Sequence, residues 1–265
     1  MAFKDILYVV EDGVAKLTLN RPEKLNALTW GTWAEIETAM AMANDDDETR
    51  AVLITGAGRG FSAGSDLTAR GSEAEWSPRP HSGRAAQMRT RFRGTSDVYH
   101  CRKPTICAVN GVCVGAGFSL ALACDIRIAS EAARFSAIFV KRAIVADTGM
   151  TWFLPRAVGS QRAMEMLFTG RMVGGEEAQR IGLVLETVLA EALESRSLAL
   201  ATEIAHGPSV AIELIKRMTQ ETFTRDLDSQ VELEQFLQGV TAQTEDVKEG
   251  RLSFVEKREP VFKGR

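Results

Sequence analysis

Residues 104–125 read Pro-Thr-Ile-Cys-Ala-Val-Asn-Gly-Val-Cys-Val-Gly-Ala-Gly-Phe-Ser-Leu-Ala-Leu-Ala-Cys-Asp, and their reading decides the fold. Ile106 to Val109 is a short apolar, partly β-branched run, the pattern of a buried strand. Asn110-Gly111 punctuates it. Gly115-Ala116-Gly117 then opens an Ala/Leu-rich segment that predicts a buried helix. A strand that runs through a glycine-rich turn into a helix leaves backbone N–H groups unpaired at the helix N-terminus, where about half a positive charge accumulates. Such a corner suits an oxygen that becomes negative during a reaction. It is not a phosphate loop, because Gly-x-x-x-x-Gly-Lys-Ser/Thr is absent, and no Gly-x-Gly-x-x-Gly dinucleotide fingerprint occupies the turn.

The same plan occurs earlier in the chain. Ala51 to Thr55 predicts a strand that runs into Gly56-Ala-Gly-Arg-Gly-Phe-Ser-Ala-Gly-Ser-Asp-Leu67, a second glycine-rich turn. The repetition is of pattern, not of sequence. Two such turns can aim two N–H donors at one oxygen; equally, each can be a tight strand-to-helix connection. Before them, Tyr8-Val9-Val10, Asp12-Gly13 and Val14 to Leu19 predict a hairpin, stopped by Asn20-Arg21-Pro22. An amphipathic helix carrying Trp33, Ile36, Met40 and Met42 follows Leu28-Thr29.

The 265 residues carry a net charge of −3, with 45% hydrophobic and 25% charged side chains. That is the composition of a globular protein, and it gives no support to nucleic acid or an anionic membrane as partner. No apolar run approaches the roughly 18 residues of a membrane span, and no signal-peptide core opens the chain, so a cytoplasmic location is expected. Cys101, Cys107, Cys113 and Cys124 lie in or beside apolar segments without C-x-x-C spacing, which predicts reduced core thiols. His81, His100 and His206 show no metal spacing, so no metal site is expected.

Residues 68–84 lack periodicity and predict a long surface loop. The arginines 84, 89, 91 and 93 lie on a basic helix that follows, either as a solvated face or as an attraction for a phosphorylated ligand. Asp125 to Ala129 predicts another strand, and a helix is expected from Thr148. From about 191 onward four helical segments succeed one another without a strand: 191–206, 210–223, 227–237 and 242–257. This divides the chain into a mixed α/β core, residues 1–190, and a helical C-terminal region, residues 191–265.

Phe61-Ser-Ala-Gly-Ser-Asp-Leu67, Ala108-Val-Asn-Gly-Val-Cys-Val-Gly-Ala-Gly117 and Ala123-Cys-Asp-Ile126 resemble hallmark segments of the crotonase (enoyl-CoA hydratase/isomerase) superfamily. Leu154-Pro-Arg-Ala-Val-Gly159 and Phe254-Val-Glu-Lys-Arg258 do so as well, in the expected order. The resemblance implies a spiral of repeated ββα units with a helical C-terminal region that assembles as a homotrimer or homohexamer. It implies an acyl-CoA thioester substrate, with no cofactor beyond the CoA moiety. The thioester enolate would be held by the backbone N–H groups of Ser65 and Ala116, a type of donor whose removal costs about 2.7–4 kcal/mol of transition-state stabilisation. CoA would lie along Lys24, Leu25 and Asn26 and the turn Ala63, Gly64, Ser65, Asp66 and Leu67. Phe254 and Lys257 would meet its adenine and ribose phosphate from a neighbouring subunit; without the resemblance they read as an ordinary helix face.

Hydratases of this family carry two glutamates, and the matching positions here are Ser119 and Phe139. An unaided serine hydroxyl is far too weak a base to take a proton from carbon near neutral pH. Asp147, in Ala143-Ile-Val-Ala-Asp-Thr-Gly-Met150, matches the acid/base position of the dienoyl-CoA isomerases and of the phenylacetate-pathway ring-opening isomerase. Apolar surroundings would raise its pKa and suit it to proton shuttling; alternatively it caps the helix expected from Thr148. The first reading implies double-bond isomerisation of an enoyl-CoA. Trp76, Phe92, Phe139 and Trp152 either line an acyl pocket or pack. Three alternatives stand beside it. Asp147 acts as a nucleophile, as in the family's aryl-CoA dehalogenases, although the histidine and tryptophan of those enzymes fall near Phe92 and at Phe139. Asp147 alone directs water in hydration or thioester hydrolysis. Or the chain is a non-catalytic acyl-CoA-binding scaffold.

Overall fold

The computed structural model describes residues 3–68 and 94–265. Strands β1 (Ile6–Glu11) and β2 (Val14–Leu19) pair antiparallel, Ile6 opposite Leu19. Asp12 and Gly13 turn between them with φ of 49° and 76°, the pair of left-handed residues that a two-residue hairpin favours. Thr29 caps helix α1 (Trp30–Asp45): its hydroxyl accepts from the Thr32 amide and the Thr32 side chain answers the Thr29 amide. Trp33, Ile36, Ala39, Met40 and Ala43 bury the inner face of α1. Met42 was expected on that face and is exposed, because two residues of helix rotate it about 200° away from Met40.

Beyond α1 the chain repeats one unit, a long strand, a short strand and a helix. It runs β3 (Ala51–Gly56) and β4 (Gly60–Ser62), then α2 (Gly94–Tyr99). Next come β5 (Thr105–Val109), β6 (Val112–Val114) and α3 (Ala116–Ala123). Then follow β7 (Ile126–Ser130), β8 (Arg134–Ser136), a 3-10 turn (Ile138–Arg142), α4 (Met150–Val158) and α5 (Ser160–Thr169). β9 (Val173–Gly174), α6 (Gly175–Arg180) and β10 (Glu186–Val188) complete the core. Helices α7 (Leu193–Ala205), α8 (Ser209–Glu221), α9 (Leu227–Thr241) and α10 (Glu245–Glu256) close the chain. This is the α/β spiral of ββα units followed by helices.

The long strands form one sheet in the order β1-β2-β3-β5-β7-β10, parallel except at the first hairpin, and the short ones a second sheet in the order β4-β6-β8-β9. Alternation along β3 and β5 explains why both read as continuous apolar runs. Val52, Ile54, Cys107 and Val109 enter the main core with α1 and α3. Ala51, Leu53, Ile106 and Ala108 face the other way, onto Leu193, Ala201 and Ala205 of α7. All eight residues of α3 are buried, so the helix needs no polar face. The four cysteines are free and buried, and burial pushes the Cys107 and Cys113 thiols well above their ordinary pKa. No single helix among the described residues is long and apolar enough to cross a membrane.

Candidate active site

Two glycine-rich corners meet at the N-terminus of α3. Gly64 has φ +86°, and a Cβ placed on it would lie 2.8 Å from the Val114 carbonyl oxygen and 3.4 Å from the Ala116 nitrogen. Gly117 answers from the other side: a Cβ there would stand 2.5 Å from the Ser62 Cβ. Gly64 thus lets its backbone lie against that of Val114 and Ala116, and Gly117 leaves room for the Ser62 side chain. Leu28 pairs with Ser65 as an isolated bridge; its amide donates to the Gly64 carbonyl at 2.8 Å, and its carbonyl accepts from the Asp66 amide at 2.9 Å. That leaves the Ser65 N–H on the side away from Leu28, donating to no partner among the described residues. In α3 the first amide to reach back is Ser119, to the Gly115 carbonyl at 3.0 Å, so the Ala116 N–H is also unpaired among the described residues.

A buried polar clamp holds the first corner. Asn26, at φ +53°, donates from Nδ2 to the carbonyls of Ala57 (2.9 Å) and Gly60 (2.8 Å), and its Oδ1 accepts from the Arg21 amide at 2.9 Å. Ser62 Oγ donates to the Asn26 carbonyl at 2.8 Å, and the Ala63 amide to the Leu25 carbonyl at 2.9 Å. Arg21 reaches Asp66 Oδ2 at 3.0 Å and the Ala27 carbonyl at 2.6 Å, while Asp66 Oδ1 accepts from the Thr68 amide and hydroxyl. The structure thus brings the stretch Lys24, Leu25 and Asn26 beside the turn Ala63 to Leu67, and that turn beside Ala116. The Asn26 and Asp66 side chains are committed to this scaffold. Lys24 and Leu67 are exposed, and Leu25, Ala63 and Ser65 partly so. Arg21 was read in the sequence only as part of a strand stop; its role depends on Asp66, forty-five positions away.

Neither position matching the family's glutamates carries an acid. Ser119 is wholly buried, with its hydroxyl near the Gly115 carbonyl of its own helix, and Phe139 belongs to the main core. Asp147 is exposed, which corrects the expectation of apolar enclosure, although the adjoining Ala146 packs on the core. The capping alternative is also corrected: α4 begins at Met150, its N-cap is Gly149, and no side chain caps it. A helix from Thr148 is prevented because Thr148 and Gly149 are both left-handed, with φ of 53° and 84°. The turn is held within itself: the Met150 amide and the Thr148 hydroxyl both donate to the Asp147 carbonyl, at 3.1 and 2.8 Å. Thr95 of α2 donates from Oγ1 to the Thr148 carbonyl at 2.9 Å. The Asp147 carboxylate itself makes no hydrogen bond among the described residues.

The remaining expectations separate. Phe254 is 85% exposed on α10 and Lys257 is its left-handed C-cap; among the described residues neither bonds to either corner. Trp152 packs edge-to-face on Tyr99 and Phe153, at 5.1 and 4.9 Å, under the Arg156 guanidinium at 3.8 Å. With Tyr99, Leu122, Ile212 and Phe223 it lines a cavity of about 460 Å³ at the opposite end of α3 from Ala116. Phe139 is not among the residues that line this cavity. His206 pairs with Asp12 at 2.9 Å, and His100 packs edge-to-face on Tyr99. Trp76, His81, Phe92, the long loop and the arginines at 84, 89, 91 and 93 lie outside the described residues.

A family model described as Enoyl-CoA hydratase/isomerase matches residues 10–265. The chain is 38% identical over 262 residues to the 1,2-epoxyphenylacetyl-CoA isomerase of Escherichia coli (strain K12), covering 98% of each chain. It is 38% identical over 259 residues to the (E)-benzylidenesuccinyl-CoA hydratase of Thauera aromatica, covering 96% of this chain and 97% of that one. Among solved structures, the enoyl-CoA hydratase of Bacillus anthracis superposes with a TM-score of 0.90 at 32% identity, over 99% of this chain and all of the other.

Proposed function

This chain belongs to the enoyl-CoA hydratase/isomerase family, and from that premise we propose that it isomerises the double bond of an enoyl-CoA thioester with Asp147 as the acid/base. The amides of Ser65 and Ala116 grip the thioester oxygen as it becomes an enolate; two donors already in place need no reorganisation as the charge develops. The Asp147 carboxylate takes a proton from C2 of a 3-enoyl thioester, and the electron pair spreads through the thioester and the double bond. The same group then returns the proton to C4, giving the 2-enoyl thioester with no atoms gained or lost. Lys24, Leu25 and Asn26 and the turn Ala63 to Leu67 line the CoA path, with Asn26 and Asp66 acting through the backbone they fix. Phe254 and Lys257 meet the nucleotide end of CoA held by a neighbouring copy in a homotrimer or homohexamer. The exposure of Leu227, Phe236 and Phe254 on the C-terminal helices supports such an assembly.

The observation that carries this reading is the distribution of acids. The two glutamate positions hold a buried serine and a core phenylalanine, while Asp147 stands on a strained turn with its carboxylate committed to no structural bond among the described residues. The isomerase relative supports the same choice. The hydratase relative favours a second reading, in which Asp147 directs a water onto C3. Incubating the protein with trans-3- and trans-2-hexenoyl-CoA in deuterium oxide separates the two. Deuterium at carbon with no added water mass supports isomerisation; a gain of one water supports hydration. Asp147→Asn lowers kcat by about 10²–10⁴ in either case while thioester binding stays within about threefold. Undiminished turnover in that variant overturns the assignment of Asp147.

A further inference from the structure

We infer that Thr95 is a positioning residue that fixes the carboxylate of Asp147, an inference that rests on Asp147 being the acid/base. Asp147 has no side-chain hydrogen bond of its own among the described residues, so its direction is set by the turn beneath it. That turn passes through Thr148 at φ +53° and Gly149 at φ +84° before α4 begins. A β-branched residue in the left-handed region is an outlier that persists only where its surroundings hold it. The bonds to the Asp147 carbonyl come from Thr148 and Met150, inside the turn itself. Among the described residues, the Thr95 hydroxyl supplies the hydrogen bond that ties the turn to another element, donating to the Thr148 carbonyl at 2.9 Å across 53 residues of sequence.

Thr95 is in turn well fixed. It is 5% exposed at the start of α2, next to Gly94, where any Cβ would overlap the Trp33 indole of α1. That contact requires glycine at 94 and seats the first turn of α2 against the core helix. Rigid packing thus runs from Trp33 through Gly94 to Thr95, and a single hydrogen bond carries the placement to the residue after Asp147. A carboxylate that must reach two carbons of one substrate is sensitive to such placement, since a misplacement near 1 Å can cost about 100-fold in rate.

The test compares Thr95→Val, which keeps shape and loses the donor, with Thr95→Ser, which keeps the donor. Conversion of trans-3-hexenoyl-CoA is followed together with thermal unfolding. The expected result for Thr95→Val is a kcat lowered about 10- to 100-fold with KM within about twofold, and for Thr95→Ser a kcat within about threefold of the parent. Thr95→Ala serves if the valine variant does not fold, with the same expected loss of kcat. Undiminished kcat in Thr95→Val alongside an inactive Asp147→Asn overturns the role of Thr95 and leaves that of Asp147 standing. Equal losses in the Val and Ser variants, tracking a lowered melting temperature, also overturn it. Full activity in Asp147→Asn overturns the reading on which it rests.

Discussion

The two glycine corners and the turn at Asp147 are built by opposite means. At the corners everything that could act is backbone: Gly64 and Gly117 permit the close packing there, and the buried Asn26 and Ser62 with the half-buried Arg21 keep it in place. At Asp147 what could act is one exposed carboxylate on a turn that spends two residues in the left-handed region and borrows a hydrogen bond from α2. The first arrangement is over-determined and indifferent to most side chains. The second depends on one side chain and a few local bonds. On the proposed reading, the corner that grips the thioester oxygen does not depend on which side chains supply the acids, and the glutamate positions filled here by Ser119 and Phe139 fit that separation.

The sharpest way to break the comparison is to put a side chain where the corners meet. Gly64→Ala should destabilise the fold by about 3 kcal/mol or more, since a left-handed alanine costs about 1–2 kcal/mol and an overpacked contact about 1–3 kcal/mol. Urea unfolding measures the change, and a midpoint matching the parent's would show that the corners are not in contact. A smaller and more local effect is expected at the neighbouring residue. Ser65→Pro removes an amide that the scaffold does not use, so stability should hold while kcat falls about 10²- to 10³-fold, the cost of one oxyanion donor. Ser65→Ala keeps the amide and should stay within about threefold. If the alanine variant loses as much as the proline variant, the side chain acts and the contrast with Asp147 collapses.

The corners were legible in the sequence because their information is local. Glycine spacing and apolar runs mark β3, β5 and α3 whatever the rest of the chain does, and Asp12-Gly13 marks its hairpin in the same way. The second sheet was not legible. Strands β4, β6, β8 and β9 span two or three residues each, too short for any periodicity, and their pairing is fixed only by the spiral. Asp147 was found through a resemblance, yet its surroundings were misread. An Asp before Thr and Gly normally caps a helix; here the left-handed Thr148 moves the helix start on to Met150. Nothing near Thr148 in the sequence announces that conformation, because a bond that ties it to another element comes from the distant Thr95. The clamp of Arg21 on Asp66 escaped notice for the same reason.

The smallest expected effect tests whether the strain at Asp147 matters. Thr148→Gly relieves a left-handed conformation that costs a non-glycine residue about 1–2 kcal/mol. It gives back about 0.5–1 kcal/mol in chain entropy and loses the Thr148 hydroxyl's bond to the Asp147 carbonyl, about 0.5–1.5 kcal/mol. These contributions nearly cancel, so the unfolding free energy should stay within about 1 kcal/mol of the parent. Turnover should not be neutral. A glycine in that place widens the conformations open to the turn, the Thr95 bond then restrains a looser carbonyl, and the carboxylate meets its substrate less often in a productive direction. A fall in kcat of about three- to tenfold at nearly constant stability is the expected outcome. Parental kcat would mean that the strained turn is incidental to the chemistry, and that Asp147 is as indifferent to its local geometry as Ser65 is to its side chain.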